Sequence, residues 1–166
     1  MAQSASRSNE AAGPGRARRS APALDIQRAT RSRHLPADAQ FRRWARAALG
    51  RPAEVTLRIV GEREGAALNR EFRGQPHATN VLAFRYEAGR RLAGDIVLCA
   101  PVVGREARAQ GKTIGAHYAH LTVHGLLHLQ GYEHQRPRGT RVMEAKEVAI
   151  LRRLGFANPY LVPERE

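Results

Sequence analysis

Three histidines in one short segment are the side chains in this sequence best placed to bind a metal ion. His124, His128 and His134 follow the spacing H-x3-H-x5-H. On a helix, the first two lie one turn apart on the same face, and Gly131 can end that helix in a left-handed conformation so that His134 folds back toward them. Three imidazoles leave one tetrahedral position open, as in catalytic zinc sites, where the metal lowers the pKa of bound water to roughly 7. We therefore expect one Zn2+ per chain at this triad.

Gly125 separates this segment from a known peptidase pattern. The metzincin pattern H-E-x-x-H-x-x-G-x-x-H is matched at every fixed position except this one. In those peptidases, the glutamate after the first histidine is the general base that activates water. Glu133 could in principle replace this glutamate as the base. It follows the helix-ending glycine, however, and the direction of its side chain cannot be assigned from sequence. A metallopeptidase of metzincin-like geometry stays an alternative that the missing glutamate opposes.

Two blocks of the sequence resemble the YbeY family. The first is HLTVHGLLHLQGYEH at residues 120–134, and the second combines LNREFRG at 68–74, TNVLAF at 79–84 and GDI at 94–96. The likeness covers most of the chain from about residue 24 onward. YbeY proteins are bacterial zinc-dependent endoribonucleases implicated in ribosomal RNA maturation and ribosome quality control. The resemblance therefore implies a metal-dependent, single-strand-directed endoribonuclease that acts in 16S ribosomal RNA 3′-end maturation, with the zinc at the predicted triad.

The same resemblance implies a catalytic residue and a set of partners. It assigns Arg73 a role near the zinc, where a guanidinium can hold the scissile phosphate and stabilise the charge that develops on its oxygens. The implied partners are ribosomal RNA and components of the small ribosomal subunit, with neither DNA nor a membrane.

A third interpretation is a non-enzymatic, zinc-stabilised ribosome-assembly factor, in which His117, His120 or Glu133 closes a structural metal site.

Other polar residues near these segments have open roles. His117 and His120 fall on or near the face of the helix that carries the metal ligands, and we expect them to support those ligands or to be ordinary polar residues. Asp95 lies in a strand-like segment, so we expect its carboxylate to be hydrogen-bonded, either structurally or to a ligand histidine. Met143 has the spacing of a core residue in a helix.

The elements that would position these residues form an α+β domain. Apolar periodicity and turn residues predict a small mixed β-sheet with about five helices, including a zincin-like metal helix over residues 114–130. The last helix, predicted over residues 140–154, would turn Val142, Val148, Leu151 and Leu154 inward. We predict strands at 23–30, 54–60, 80–86 and 91–100, and the other helices at 36–49, 61–72 and 101–110.

Composition sets the remaining expectations. The net charge is +13, and nearly all the cations are Arg, which suits a polyanionic partner. No apolar run is long enough to span a bilayer, and the N-terminus lacks the apolar region of a secretory signal, so we expect a cytoplasmic protein. We predict a disordered basic tail at residues 1–22, a single metal-dependent hydrolase domain at 23–158, and a C-terminal tail at 159–166.

Overall fold

The structure is a computed structural model that describes residues 22–88 and 91–161. The predicted N-terminal tail therefore lies almost wholly outside the described residues and stays a prediction. The strands are β1 (Ala23–Ala29), β2 (Ala53–Val60), β3 (Val81–Ala88) and β4 (Arg91–Cys99). The helices are α1 (Asp38–Ala48), α2 (Glu62–Arg73), α3 (Ala100–Ala109), α4 (Ile114–Leu129) and α5 (Pro137–Arg153). The predicted α+β class and the mixed sheet are confirmed.

The four strands form one sheet in the order β1-β2-β4-β3. The pairs β1–β2 and β2–β4 are parallel, and their connections are α1 in the first case and α2 with β3 in the second. Strands β3 and β4 form the antiparallel hairpin that their short connection predicts. Side chains of β4 alternate between the two faces. Leu92, Ile96 and Leu98 join the main core with α1, α4 and α5, while Val97 and Cys99 join a smaller core with residues of β2, β3 and α2.

Helix α4 is the central element of the main core. Thr113 caps its N-terminus by accepting a hydrogen bond at Oγ1 from the Ala116 amide at 3.1 Å. Its side chains pack against the sheet, against α1 through Phe41 and Tyr118, whose ring centroids are 6.0 Å apart, and against α5. A helix that is covered on so many sides presents its histidines with little freedom to move. This burial suits a site that must hold several ligands in fixed positions.

Helix α5 differs from the prediction in its start and in its buried face. It begins at Pro137, three residues before the predicted start, because proline is well tolerated in the first turn of a helix. Val142 was expected to face inward, but its side chain is 53% exposed. Leu151 is buried as predicted, and so is Met143, whereas Ile150 is a buried residue that the predicted inward face did not include. Within the described ranges, no helix has the length and apolarity needed to cross a membrane.

Candidate metal centre

The three predicted metal ligands lie together at the wall of one small pocket. His124, His128 and His134 line a cavity of about 190 Å³. The ring centroid of His134 lies 5.4 Å from that of His124 and 5.9 Å from that of His128. The folded chain therefore brings the three imidazoles to one side of one cavity, as the spacing predicts.

Local backbone geometry places His134 against the end of α4. Gly131 has a φ of 96°, the left-handed conformation that its position after the helix requires. The side chain of Gln130 holds this corner by donating from Nε2 to the carbonyl oxygens of Ala48 at 2.8 Å and Leu126 at 3.0 Å. The carbonyl oxygen of His134 accepts a hydrogen bond from Thr140 Oγ1 at 2.7 Å, which ties the loop to α5. The position of His134 is thus fixed from both ends of the loop.

Arg73 reaches the same pocket from another part of the fold. It is the last residue of α2, and Gly74, with a φ of 68°, ends that helix. The neighbouring Phe72 packs on Phe84 of β3 with ring centroids 4.7 Å apart, which anchors the end of α2 to the sheet. Arg73 lines the cavity together with the three histidines. Arg73 and the three histidines, which come from separate parts of the chain, therefore line one pocket.

Glu147 of α5 is a functional candidate that the sequence analysis did not single out. Its side chain is fully buried, and its carboxylate accepts hydrogen bonds from His124 Nδ1 at 2.5 Å, from His120 Nε2 at 2.8 Å and from the Tyr160 hydroxyl. Burial by itself would raise the pKa of Glu147, but the hydrogen bonds from His120, His124 and Tyr160 outweigh it and lower the pKa to about 2. The carboxylate is therefore ionised and can only accept.

This contact fixes the tautomer of His124. Because Glu147 only accepts, the proton of neutral His124 lies on Nδ1, and the lone pair lies on Nε2. Metal-binding histidines are commonly oriented in this way by a carboxylate, which also raises the basicity of the ligand nitrogen. Sequence carried one signal for Glu147: it stands one turn after Met143 and one turn before Leu151, at a position where the buried face of α5 calls for an apolar residue.

His120, His124 and Glu147, which share His124 with the triad, form a group of side chains that could hold a metal. One ligand atom from each lies within 4.8 Å of the other two. The short contacts in this group are accounted for by hydrogen bonds, since each carboxylate oxygen accepts from one imidazole.

The triad pocket offers imidazole nitrogen ligands, which suit zinc. Burial, followed by the proximity of His134, lowers the pKa of His128 and so favours the neutral form that binds metal. The residues present therefore fit a zinc ion.

Packing against the sheet explains why Gly125 carries no side chain. A Cβ atom added there would lie 3.0 Å from Ile96 Cδ1 and 3.4 Å from Val81 Cγ2. The helix thus approaches β3 and β4 closely at the residue that follows the first ligand. Glycine permits this approach without displacing Ile96, and it leaves the position without the carboxylate of a metzincin peptidase.

The other polar residues considered from sequence do not line the triad pocket. Glu133 turns toward the start of α5, where its Oε1 would lie 2.5 Å from a Cβ added at Gly139, and its Oε2 accepts from the Gln135 amide at 3.2 Å. Asp95 accepts a hydrogen bond from Tyr86 on the neighbouring strand. It alternates with Ile96 along β4 and so faces away from α4, which excludes it as the carboxylate that orients a ligand histidine.

His117 and His120 contact carboxylates instead of entering the pocket. His117 Nε2 lies 3.4 Å from Glu106 Oε1, and His120 contacts Glu147 as described. His120 therefore contacts the predicted ligand His124 indirectly, through the carboxylate that both histidines share. Met143 is 1% exposed, so its predicted core role is confirmed.

Comparison with known proteins identifies relatives over most of the chain. Residues 26–155 match the family described as Endoribonuclease YbeY. A protein of that name from Aromatoleum aromaticum is 55% identical over 141 residues, which cover 83% of this chain and 92% of that protein. Another from Nitrosomonas europaea is 52% identical over 139 residues, covering 84% and 85% respectively. The solution structure of a Thermotoga maritima protein superposes with a TM-score of 0.50 at 20% identity, over 83% of this chain and 99% of that one. This last likeness concerns the fold alone.

Proposed function

The chain belongs to the YbeY family of endoribonucleases, and we propose that it is a zinc-dependent, single-strand-directed endoribonuclease that acts on ribosomal RNA. We further propose that its reaction belongs to 16S ribosomal RNA 3′-end maturation and ribosome quality control, with components of the small ribosomal subunit as partners. The observation that carries this proposal is the convergence of three histidines and Arg73 on one pocket of about 190 Å³. That pocket is small enough to take a phosphate group without its nucleoside.

His124, His128 and His134 would hold the zinc ion. When bound, zinc supplies positive charge at the phosphate and lowers the pKa of water toward 7. Glu147 keeps the proton of His124 on Nδ1, and the buried setting of His128 keeps that imidazole neutral. Glu147 thereby leaves Nε2 of His124 available to a metal, and the lowered pKa of His128 favours the form of that imidazole that binds one.

Arg73 would hold the scissile phosphate against the ligands. Its guanidinium can donate two hydrogen bonds to phosphate oxygens and stabilise the negative charge that grows on them in the transition state. Within the described residues, no carboxylate lines the pocket, so a side-chain general base of the metzincin kind is missing. Attack by the RNA 2′-hydroxyl or by water are both compatible with this arrangement.

The two alternatives are less well supported by the geometry. A peptidase would need a base at Gly125, where Ile96 and Val81 occupy the adjoining space. A structural zinc site in a non-enzymatic assembly factor would need a fourth protein ligand. His117, His120 and Glu133, the candidates for that role, make contacts outside the pocket.

The proposal is tested by incubating zinc-loaded and chelated protein with single-stranded ribosomal RNA fragments and, in parallel, with casein. We expect RNA cleavage only with metal and no release of peptides. Arg73→Ala should keep its zinc and its Tm but cleave RNA roughly 10²–10³-fold more slowly, the typical loss of one electrostatic donor, and Arg73→Lys should recover only part of the rate. His128→Ala should lose most of the zinc. If Arg73→Ala and His124→Ala both cleave RNA at the rate of the parent protein, the activity belongs to a contaminating nuclease.

A further inference from the structure

A second and larger cavity adjoins the triad pocket. It encloses about 520 Å³ between α3, α4 and the segment that follows α5. Asn80 lines both cavities, and the ring centroid of His120, at the wall of the larger one, lies 6.3 Å from that of His124. The polar residues that line it are Asn80, Glu106, Lys112, His117, His120 and Tyr160.

The sizes of the two cavities suit different parts of a nucleotide. Pockets for small molecules usually measure about 300–1,000 Å³, a range that includes the larger cavity and excludes the triad pocket. A chain of RNA that places a phosphate beside Arg73 has room for an adjoining base in the larger cavity, because the two cavities share Asn80 as a lining residue. Sequence-specific recognition of RNA ordinarily uses single-stranded bases that are splayed out in this way.

Glu106 gives this cavity a defined preference in hydrogen bonding. Asn80 Nδ2 donates to both carboxylate oxygens, at 2.8 Å and 3.1 Å, and His117 Nε2 lies 3.4 Å from Oε1. A carboxylate offers about four lone-pair directions, so one acceptor position is left, on Oε2. An exocyclic amino group of adenine, cytosine or guanine can donate to it. Uracil has no such group, and its ring N3–H donor is flanked by two carbonyl oxygens that the carboxylate repels.

Tyr160 supplies an aromatic surface at the wall of the same cavity. Its side chain is 42% exposed, and its hydroxyl donates a hydrogen bond to Glu147. The preceding residue is also held in place, because the Pro159 carbonyl oxygen accepts a hydrogen bond from Lys112 Nζ at 2.7 Å. Stacking of a base on an aromatic side chain contributes to affinity and does not depend on which base is bound. The wall therefore provides affinity, and Glu106 provides selectivity.

We propose that the larger cavity is a nucleobase subsite that binds a base next to the scissile phosphate and prefers adenine, cytosine or guanine to uracil. This inference deepens the proposed function and rests on it. Loss of one hydrogen bond to a charged group corresponds to about tenfold in rate or affinity.

The test uses oligouridine carrying a single adenine, cytosine or guanine, with cleavage positions mapped for the zinc-loaded protein. Cleavage should be about tenfold faster beside the substituted base. In Glu106→Gln this preference should vanish or reverse toward uracil, because the side-chain amide can donate a hydrogen bond to a uracil carbonyl oxygen. The zinc content and the Tm of this variant should stay unchanged. Glu54→Gln, which alters an exposed carboxylate paired with Arg91, is the matched control and should keep the parental preference.

A binding measurement keeps the subsite testable apart from catalysis. The 2′-O-methylated versions of the same oligonucleotides cannot be cleaved through the 2′-hydroxyl, and their affinity for metal-free protein should follow the same base order. Parental protein that cleaves no RNA overturns the proposed function. Equal affinity for adenine-containing and all-uracil oligonucleotides, or an unchanged preference in Glu106→Gln, overturns the subsite.

Discussion

Replacing Glu147 with glutamine should weaken zinc binding without touching any of the proposed ligands. The carboxylate accepts from His124 on one oxygen and from His120 and Tyr160 on the other. An amide has one accepting oxygen and one donating nitrogen, so it cannot accept on both sides. If its nitrogen faces His124, the proton of that imidazole must move to Nε2, the atom needed by the metal. If its oxygen faces His124, the hydrogen bond loses its charge.

The expected loss follows from these two orientations. Mutation of a group that orients a metal ligand typically costs 10–100-fold in affinity, or about 1.4–2.8 kcal/mol. A loss of zinc affinity of about tenfold is expected if the amide oxygen accepts from His124 in a neutral hydrogen bond. A loss of about 100-fold is expected if the amide nitrogen faces His124 and moves its proton to Nε2. Glu147→Ala should lie at or beyond the upper end, because it also leaves His120 and His124 without their buried partner.

Competition with a chromophoric chelator at neutral pH measures the zinc affinity, and thermal unfolding of the metal-free protein measures stability separately. Glu144→Gln, on the same helix three residues earlier, is the matched control and should bind zinc like the parent. The reasoning is refuted if Glu147→Gln lowers the Tm of the metal-free protein but binds zinc within about twofold of the parent. Glu147 would then hold α5 in place without acting on the metal.

Three further predictions concern packing, pH and the N-terminus. Gly94→Ala places a Cβ 2.4 Å from the Phe84 carbonyl oxygen and should cost about 1–3 kcal/mol of stability, seen as a Tm lower by several degrees, whereas Gly104→Ala, with open space around it, should not. Burial lowers the pKa of His117, so the stability it contributes is complete above about pH 6.5 and is lost as pH falls through its lower folded value. The Tm of metal-free His117→Gln should consequently fall less than that of the parent between pH 7 and pH 5; an equal fall would contradict this. Deletion of residues 1–22 should leave the Tm unchanged and reduce RNA affinity mainly at low salt, and a marked loss of Tm would reveal an ordered element there.

Sequence periodicity was sufficient to predict the helices and strands and the residues at the centre of the proposed site. His124 and His128 could be placed together because their spacing equals one helical turn, and Gly131 because few other residues adopt its backbone conformation. These are local relations, which a single segment determines. Arg73 was different, since it lies in a separate element, and only the resemblance to a family connected it with the histidines.

Relations between distant elements were the part that sequence did not supply. Glu147 looks like one more charged residue of an exposed helix until α5 is packed against α4, and Asp95 looked equally able to orient a ligand histidine. The choice between them depends on which face of β4 meets α4 and on how far α5 is rotated. Val142 shows the same difficulty, because it was predicted to face inward together with Leu151, but only Leu151 is buried when α5 packs on α4.

The close contact at Gly125 also restricts how this scaffold can change its chemistry over evolution. A single substitution to glutamate would introduce the residue that distinguishes a metzincin peptidase, yet its first side-chain atom would already meet Ile96 and approach Val81. The Ile96 side chain would have to shift by a few tenths of an ångström, at the interface between the sheet and the helix that carries the histidines. The step from this nuclease-type pocket toward a peptidase therefore depends on how far Ile96 can move, although the two sequence patterns differ at a single fixed position.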